Sequence, residues 1–493
     1  MNSVTALPTM NTANSVSSVV EDLREQIVKH DVCVDHLISK MTAAINASDF
    51  VNFGALVAAS SVLKSSDRTK VIDLFAKFVG GCLSEDQSDL ALDVEHFLYS
   101  YFLKSLESEA DYHQFFDKIS QPYSKVENVS RMPSATASNG YLFVVHTPIM
   151  LAHINPLHRM LELNGEKNNR EENVALVVLE GVLSEEFKSA FENIGVVVYS
   201  AGHIESRTQK ILEIEKLRWT KQFRHVIWQC TPIFLSLAAQ MITDLSWWSV
   251  KFHPGIKGLN KYIGSLGGTA DFCMNGNNWS HFVAPVKVNN LHKDCKIDWP
   301  LRSGKFGCFT REELIDNSEY WSMVSQILEK FPEAEFHYAG RSSVHEKWVP
   351  KGNGLDSRIN FLGWLKDPEV QLCGMSFLLD PIGLGHGNMA REAVAAGVPI
   401  VYPKSSNGNP ISTIQKLVFA YSERQKRLPK EAVEVSFLET DYSNVEQLFC
   451  KLERLLTDQA FNEKIGEECK VLLGHEMVKK PWDAFIKILN GGS

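Results

Sequence analysis

Two spacings of apolar residues divide the chain into a helical first part and a longer remainder that alternates between strands and helices. In the first part, apolar positions recur every three to four residues, as at Val20, Leu23 and Ile27, which predicts helices. Residues 1–15 show no such pattern, and we expect them to be disordered. No fixed repeat length is present, so a solenoid is not indicated. We therefore predict an all-α N-terminal module over residues 16–130.

A polar stretch, Ser130–Gly140, reads as a linker, and short apolar runs then alternate with helical segments. The predicted strands are Tyr141–Val145, Asn173–Leu179, Gly195–Tyr199, His225–Gln229, Lys305–Phe309, Glu335–Ala339, Ile359–Leu362, Phe377–Leu379 and Val398–Tyr402. This alternation is typical of parallel α/β sheets. We predict two Rossmann-like domains facing a cleft, at 138–290 and 291–475, and a C-terminal helix at 476–493 that packs back across them. The aromatic and Gly-rich end of the first domain reads as irregular.

The segment Phe377–Pro403, FLLDPIGLGHGNMAREAVAAGVPIVYP, contains the clearest candidate site. It reads as a strand, a Gly-rich turn, a short helix and a second strand. Three glycines, which let a backbone approach a ligand closely, lie in the turn: Gly383, Gly385 and Gly387. The first turn of the helix favours an anion, Asn388 can cap it, and Glu392 can accept hydrogen bonds from a sugar diol. The pattern indicates a site for a phosphate next to a ribose, with a purely structural turn as the alternative.

Length, composition and charge narrow the class of protein. A chain of 493 residues suggests about three domains, and 44% hydrophobic with 22% charged residues is ordinary for a soluble protein. The formal net charge of −9 and the absence of a Lys/Arg cluster argue against a nucleic-acid partner. No apolar run is long enough to span a membrane, and the first residues lack signal-peptide features. Nine cysteines without a CxxC pair fit free thiols, so we expect a cytoplasmic protein.

Two stretches of the second domain resemble a known family. They are KFGCFTREELIDNSEYWSMVSQILEKFPEAEFHYAGR (Lys305–Arg341) and DPIGLGHGNMAREAVAAG (Asp380–Gly397). Both are similar to segments of the O-linked N-acetylglucosamine transferase group and its bacterial asparagine-glucosylating relatives, which are GT-B glycosyltransferases. The resemblance covers roughly residues 140–490 in architecture and about 305–405 in specific motifs. It implies the GT-B fold and a nucleoside-diphosphate (NDP) sugar as donor substrate.

The resemblance also implies roles for individual residues. Arg311 would contact the donor diphosphate, with Lys305 as a weaker candidate. His386, Gly387 and Asn388 would hold the β-phosphate and the sugar. The full set of expected donor-binding residues is Lys305, Arg311, Gly340, Arg341, Gly385, His386, Gly387, Asn388 and Glu392, with Glu392 on the ribose.

The leaving group of such a transfer is a diphosphate, and the residues around it bear on whether a metal is needed and on the stereochemical outcome of the transfer. N–H donors and a cation aimed at the developing charge can stabilise it. No DxD motif is present, so we expect neither a metal nor another cofactor. Many retaining GT-B enzymes have a second Glu eight residues before the helix Glu, and here Leu384 occupies that place. This departure favours inversion.

An inverting transferase needs a group that takes the acceptor's proton, and histidine suits this near neutral pH. The first loop of the N-terminal sheet, HTPIMLAHINPLHRM, contains His146, His153 and His158. We predict His153, in the middle of the loop, as the base, and His158, on the following helix, as second choice. His253 is a further candidate. Three tryptophans are candidates for stacking on a sugar or base, although core packing is the more ordinary role: Trp247, Trp248 and Trp364.

The expected function is therefore a cytoplasmic, metal-independent, inverting glycosyltransferase that uses an NDP-sugar, with UDP as first choice, and a protein acceptor. Three alternatives stay open. They are transfer to a glycan or lipid-linked acceptor in surface-polysaccharide synthesis, sugar-nucleotide 2-epimerisation, and a non-catalytic nucleotide-sugar-binding scaffold. The sequence does not identify the sugar, the acceptor or the oligomeric state.

Overall fold

The structure of the chain is a computed structural model. It describes residues 22–27, 29, 33–47, 49–84, 87–93, 95, 117–125, 140–150, 154–165, 173–229, 232, 234–249, 256, 258–264, 279–282, 299–340, 348, 354–365, 368–381, 386–404, 412–415, 417–418, 421–422, 440–474 and 481–491. The predicted disordered lead and linker lie outside these residues. So do four candidate site residues, His153, His253, Arg341 and Gly385.

The described part of the N-terminal module is helical. Its helices are α1 (Val34–Asn46), α2 (Phe50–Ala59) and α3 (Ser65–Ser84). Apolar side chains on their facing sides, such as Met41, Phe53 and Phe75, are fully buried. The 3.6-residue spacing of the sequence is therefore the spacing of a packed helical core.

The first α/β domain is built on a seven-stranded parallel sheet. Its strands are β1 (Gly140–Val145), β2 (Val174–Val178), β3 (Val197–Ser200), β4 (Phe223–Gln229), β5 (Leu245–Ser249), β6 (Lys261–Gly264) and β7 (Trp279–His281). Four helices follow the first four strands: α4 (Ile154–Gly165), α5 (Glu185–Glu192), α6 (Arg207–Thr220) and α7 (Leu235–Met241). The strand order is β3-β2-β1-β4-β5-β6-β7. Strands β5 to β7 lie where the sequence pattern indicated irregular structure.

Each face of this sheet packs into a different core, because successive side chains of a strand point to opposite faces. Val144 and Trp247 share one core with the helical module. Phe143 and Trp248 point the other way, into a core completed by the C-terminal helix. Trp247 and Trp248 are thus buried packing residues, which is the ordinary role rather than the stacking role weighed for them.

Hydrogen bonds as well as apolar contacts fix the helical module to the first domain. Asp89 accepts from the N–H of Thr208 at 2.8 Å and from its hydroxyl at 2.7 Å, at the first turn of α6. The buried carboxylate of Glu95 accepts from Tyr123 Oη at 2.5 Å and from Ser236 Oγ on α7 at 3.2 Å. Two helices of the first domain are therefore held by acidic side chains of the module.

The second α/β domain repeats the topology of the first. Its strands are β8 (Lys305–Phe309), β9 (Glu335–Ala339), β10 (Ile359–Gly363), β11 (Phe377–Leu379), β12 (Ile400–Pro403) and β13 (Asp441–Tyr442). Their order is β10-β9-β8-β11-β12-β13. Its helices are α8 (Trp299–Arg302), α9 (Ser318–Lys330), α10 (Pro368–Cys373), α11 (Asn388–Ala395), α12 (Val445–Thr457) and α13 (Gln459–Gly474). Both sheets thus have the 3-2-1-4-5-6 order of dinucleotide-binding folds.

The last helix, α14 (Pro481–Leu489), returns to the first domain. Trp482 packs edge-on against Tyr141 with ring centroids 5.2 Å apart, and Phe485 packs against Trp248 at 5.0 Å. These aromatic contacts bury an apolar stripe of α14 on the sheet. Among the helices that the structure describes, none combines the length and apolarity that a membrane crossing requires.

A polar contact lies at the end of the same helix. His225 Nε2 on β4 is 3.3 Å from Asn490 Oδ1, just after α14. Burial, assisted by the charge of Arg224, lowers the pKa of His225. The imidazole is therefore neutral at pH 7, as a ring packed in this interface requires.

Candidate functional site

The second sheet has a topological switch point between β8 and β11. Strand β8 pairs with β9 on one side and with β11 on the other. The chain leaves β8 towards β9 and β10, and then crosses over to β11. The loops that follow β8 and β11 therefore diverge and leave a crevice at the carboxyl ends of the strands. Open α/β sheets bind ligands at this position.

The loop after β11 ends in an open helix N-terminus. Gly387 occupies the N-cap of α11 with φ 61° and ψ −133°, and no side chain of the described residues caps this helix. A Cβ built on Gly387 would have no atom within 4 Å. The start of α11 is thus open on the side of Gly387 where a Cβ would lie, and the N–H groups of a helix start can bind an anion. The expectation that Asn388 is the cap is wrong by one position, because Asn388 is already the first helical residue.

The side chain of His386 points into the domain and not into the crevice. Its Nδ1 lies 2.8 Å from Asp380 Oδ1, and its backbone N–H donates to the same oxygen at 3.1 Å. Both side chains are buried, at 0% and 1% exposure. Burial by itself lowers the pKa of His386, but Cys308 and Asp380 outweigh it and raise the pKa to about 9. The imidazole of His386 therefore keeps its proton at neutral pH, and the ring is not presented to a ligand.

Arg311 lies on the other side of the crevice. It is the second residue after β8, is exposed, and precedes the 3-10 turn Glu312–Leu314. Strand β8 is the neighbour of β11, so Arg311 and the loop ending at Gly387 flank the same switch point. The structure brings these two sequence-predicted residues to one edge of the sheet.

Lys305 lies at the opposite end of the sheet. It is the first residue of β8, pairs with Glu335 at the start of β9, and its charge contributes to lowering the pKa of His337. Four residue steps along a strand, roughly 13 Å, separate it from the carboxyl end. A lysine at the amino end of the strand cannot reach the crevice, so we remove Lys305 from the candidate donor site.

Gly340 lies at the crevice end of β9, and its lack of a side chain has a packing reason. A Cβ there would be 2.5 Å from the carbonyl oxygen of Thr310, the residue after β8. The N–H of Gly340 donates to the carbonyl of Gly363 at 3.0 Å. Gly340 thus lets the ends of β8, β9 and β10 approach one another. The next residue after Gly363 is Trp364, whose side chain is largely exposed at 66%.

Glu392 lies on the second turn of α11 and is half-buried. The helix packs Ala390, Ala393 and Val394 into the core of the domain. This packing fixes the helix that carries Glu392, five residues beyond the open cap.

The first sheet has a switch point of its own, between β1 and β4, and His146 directly follows β1 there. Its Nε2 is 3.7 Å from Glu180 Oε2, in the loop after β2, and its side chain is 19% exposed. The ring also meets Phe234 edge-on at 6.3 Å. Lys210 Nζ lies 3.4 Å from Glu180 Oε1. Of the described histidines of this loop, His146 is the one at the crevice edge, although the sequence pattern favoured its neighbours.

His158 makes a packing contact instead. On α4, its Nε2 lies 3.0 Å from the carbonyl oxygen of Ala190 on α5, and its ring packs edge-on against Phe191 at 5.1 Å. An imidazole that joins two helices in this way is not placed to take a proton from an acceptor. We therefore remove His158 from the candidate catalytic residues, while His153 stays a prediction.

A cavity of about 330 Å³ lies beside the edge strand β3 of the first domain. Its lining combines apolar side chains such as Tyr199 and Ile214 with polar ones such as His203 and Glu213. Its lining residues come from β2, β3, α6 and the connection between β3 and α6, and none comes from β1 or β4. We give more weight to the switch points, because they combine an open helix start, an exposed cation and paired titratable groups.

Comparison with known proteins places the fold. Over 98% of this chain and 98% of the other, the structure is similar to a mutant of the O-GlcNAc transferase of Thermobaculum terrenum, with 11% identity and a TM-score of 0.54. A glycosyltransferase from Rickettsia africae is 13% identical over 72% of this chain and its own full length, with a TM-score of 0.49. A mutant of S. aureus TarM, solved with UDP, is 10% identical over 72% of this chain and its full length, with a TM-score of 0.48.

The first of these structures confirms the predicted GT-B fold. No protein-family model matches the sequence, and no curated protein sequence matches it significantly. At 11% identity the similarity establishes the fold alone. Function has to be argued from the site, because one fold hosts many activities.

Proposed function

We propose that this chain is a metal-independent, inverting glycosyltransferase that moves a sugar from an NDP-sugar, with UDP as first choice, to a protein acceptor. The observation that supports this most is the open N-terminus of α11. There Gly387, with φ 61° and free space beside its Cα, lies at the switch point of the second sheet, opposite the exposed Arg311. The GT-B fold supplies a second sheet with a switch point of its own for the acceptor.

The donor half of the reaction needs charge stabilisation on the leaving group. As the bond from the anomeric carbon to the diphosphate oxygen breaks, its electron pair stays on the diphosphate. In the proposed arrangement, N–H groups of the first turn of α11 and the guanidinium of Arg311 bind this charge. Because negative charge on the leaving diphosphate grows as the bond breaks, these donors stabilise the transition state more than the ground state. Activity is expected to persist in the presence of a chelator.

The acceptor half needs a group that takes a proton from the attacking atom. The nucleophile forms a bond to the anomeric carbon from the face opposite the leaving group, which inverts the centre, and its proton passes to a base. His146 is the described histidine at the crevice edge of the first sheet, and Glu180 lies beside it at 3.7 Å. A carboxylate beside an imidazole orients the ring and stabilises its protonated form. We propose His146, with His153 as the competing candidate, for this role.

The proposed function is tested by incubating the chain with NDP-sugars and candidate acceptors and measuring intact masses. We expect an acceptor to gain one sugar residue and an equal amount of nucleoside diphosphate to be released. Diphosphate release or sugar conversion without any acceptor would favour the epimerase. If neither sugar transfer nor sugar conversion occurs, the result would favour the binding scaffold.

The ribose contact proposed for Glu392 has a specific signature in binding. Glu392→Ala is expected to weaken UDP binding by roughly tenfold, the value of one hydrogen bond to a charged group. Affinity for pyrophosphate, which has no ribose, is expected to stay unchanged. The control is Glu463→Ala, which removes an exposed acid on α13. Equal UDP affinity in the two variants, measured by calorimetry, would remove Glu392 from the ribose site.

The proposed base predicts a loss of turnover without a loss of donor affinity. His146→Gln is expected to lower kcat by about a hundredfold, which is typical for a general base. UDP-sugar affinity is expected to stay as in the wild type, because the donor binds in the other domain. His158→Gln serves as a control that should retain turnover, and His153→Gln tests the competing candidate. Wild-type turnover in His146→Gln together with a loss in His153→Gln would reassign the role.

A further inference from the structure

We infer that Asp380 and His386 form a buried clamp that fixes the position of His386 and of the start of α11 that follows it. His386 thereby acts on the donor as a positioning residue and does not touch it. This inference rests on the proposed function, because it assigns the ring a part in holding the diphosphate site open. It also revises the expected direct contact between the His386 side chain and the β-phosphate.

The clamp consists of two hydrogen bonds to one oxygen. Asp380 Oδ1 accepts from the His386 backbone N–H at 3.1 Å and lies 2.8 Å from His386 Nδ1. The two residues are six apart, so these bonds close the loop at its base. With side-chain exposures of 1% and 0%, the pair is shielded from water. A charge-assisted bond in such surroundings is strong and leaves His386 little freedom.

The lower end of the clamp is fixed in the sheet. The N–H of Asp380 donates to the carbonyl of Val401, on β12, at 2.8 Å. Tyr320 Oη on α9 donates to the carbonyl of Leu379, the preceding residue, at 3.1 Å. The position of Asp380 is therefore set by three elements, and the clamp transfers this position to His386.

The upper end of the clamp directly precedes the open helix cap. Gly387 follows His386 and holds φ 61° and ψ −133°, a conformation that glycine adopts readily and other residues do not. If the N–H groups of α11 are to bind a diphosphate, the cap has to be in place before the ligand arrives. A clamp on the preceding residue supplies this preorganisation. No side chain among the described residues caps α11.

The carboxylate depends on this imidazole. No hydrogen-bond partner for Asp380 Oδ2 is present in the part of the chain that the structure describes. A buried carboxylate with so few partners needs a positive charge beside it. Removing the imidazole would leave that charge uncompensated, so the backbone at His386 would shift to let water reach the carboxylate.

The clamp depends on pH in a definite direction. Other titratable side chains near the pair are Cys308 on β8, Tyr320 on α9, Tyr402 on β12 and Tyr442 on β13. Burial raises the pKa of Tyr442 to about 12 and those of Tyr320 and Tyr402 as well, so all three stay neutral. The pKa of His386 is raised to about 9. The stabilisation that protonated His386 provides is therefore complete at a pH below 6.5, the ordinary pKa of histidine, and is lost as the pH rises through about 9.

Two substitutions of His386 separate the clamp from simple space filling. His386→Asn keeps an N–H donor where Nδ1 lies, whereas His386→Leu keeps the volume and has no donor. We expect His386→Leu to weaken UDP binding by roughly tenfold or more, and His386→Asn, which keeps the hydrogen bond without the charge, to bind UDP with an affinity between those of the Leu variant and the wild type. Binding is measured by calorimetry on the full chain. A control is Phe485→Ala, which destabilises the other domain and should leave UDP affinity unchanged.

A pH series keeps the test decisive if His386→Leu does not fold. The affinity of the wild type for UDP is expected to fall between pH 7 and 10 more steeply than the affinity of His386→Asn. Ionisation of UDP itself affects both proteins equally, so the difference reports on His386. Two results would overturn the clamp and leave the proposed function intact. One is a UDP affinity of His386→Leu equal to that of the wild type, and the other is parallel pH profiles of UDP affinity for the wild type and His386→Asn. Failure of the wild type to bind any nucleotide would overturn both.

Discussion

The Gly387→Ala variant is expected to lose donor binding. A Cβ at this position would project into the free space beside the first turn of α11, where the diphosphate is proposed to lie. It would also disfavour the backbone conformation at φ 61° and ψ −133°, at a cost of about 1–3 kcal/mol. Losing one or two charge-assisted hydrogen bonds as well weakens binding by roughly tenfold to a hundredfold or more. Calorimetric titration with UDP measures the loss.

The matched control for this variant is Gly354→Ala. Gly354 has a similar positive φ of 68°, and a Cβ there would also have no atom within 4 Å. It lies before β10, at the amino end of the sheet and away from the crevice. Both variants should show a similar loss of thermal stability, and only Gly387→Ala should lose UDP. Equal UDP affinities in the two variants would contradict a ligand at the start of α11.

The Phe485→Ala variant is expected to show the largest loss of stability. Phe485 is fully buried, and its ring centroid lies 5.0 Å from that of Trp248 and 4.9 Å from that of Phe282. Truncating a buried phenylalanine costs about 3–5 kcal/mol, because the cavity it leaves collapses only in part. Denaturant unfolding of the full chain measures the change.

An exposed residue of the same helix supplies the control. Lys487→Ala changes an exposed side chain of α14 and is expected to alter the free energy of unfolding by no more than about 0.5 kcal/mol. If Phe485→Ala were as stable as Lys487→Ala, α14 would not pack on the first sheet as described. A loss of stability confined to Phe485→Ala would instead identify α14 as part of the folding unit of the first domain.

The alternation of strands and helices was predictable where strands are apolar and bounded by turns. Strand β1 begins one residue before its predicted start and ends at the predicted Val145. Strands β5 to β7 were missed for a physical reason. They are three to five residues long, and in β5 every side chain is buried, so no polar alternation marks it. Trp247 and Trp248 each enter a different core, which a pattern along the chain cannot show.

Part of the candidate site followed from the sequence, and part required the fold. Gly387 identified the helix start, since its backbone at positive φ restricts the residue type. Lys305 was assigned from the resemblance, although its place at the start of a predicted parallel strand already put it at the wrong end of the sheet. The direction of the His386 ring could not be predicted, because it depends on Asp380 being buried beneath the loop.

The contact between His146 and Glu180 is a second feature that could not be predicted from the sequence alone. The two residues are far apart in sequence, and they meet because β1 and β2 are neighbours whose carboxyl ends share one edge. The predicted strands end at Val145 and Leu179, directly before these two residues, but Glu180 was not predicted as a site residue. The sequence pattern ranked His153 higher because it lies in the middle of the loop, and His158 second because it lies on the following helix. The packing of His158 against Ala190 and Phe191 depends on the fold and could not be predicted.

The most direct test is a calorimetric titration of the full wild-type chain with UDP-sugars, and with GDP- and dTDP-sugars alongside. We expect saturable binding of at least one of them at a single site. Finding that none binds at millimolar concentration would contradict a donor site at the start of α11, and with it a glycosyltransferase.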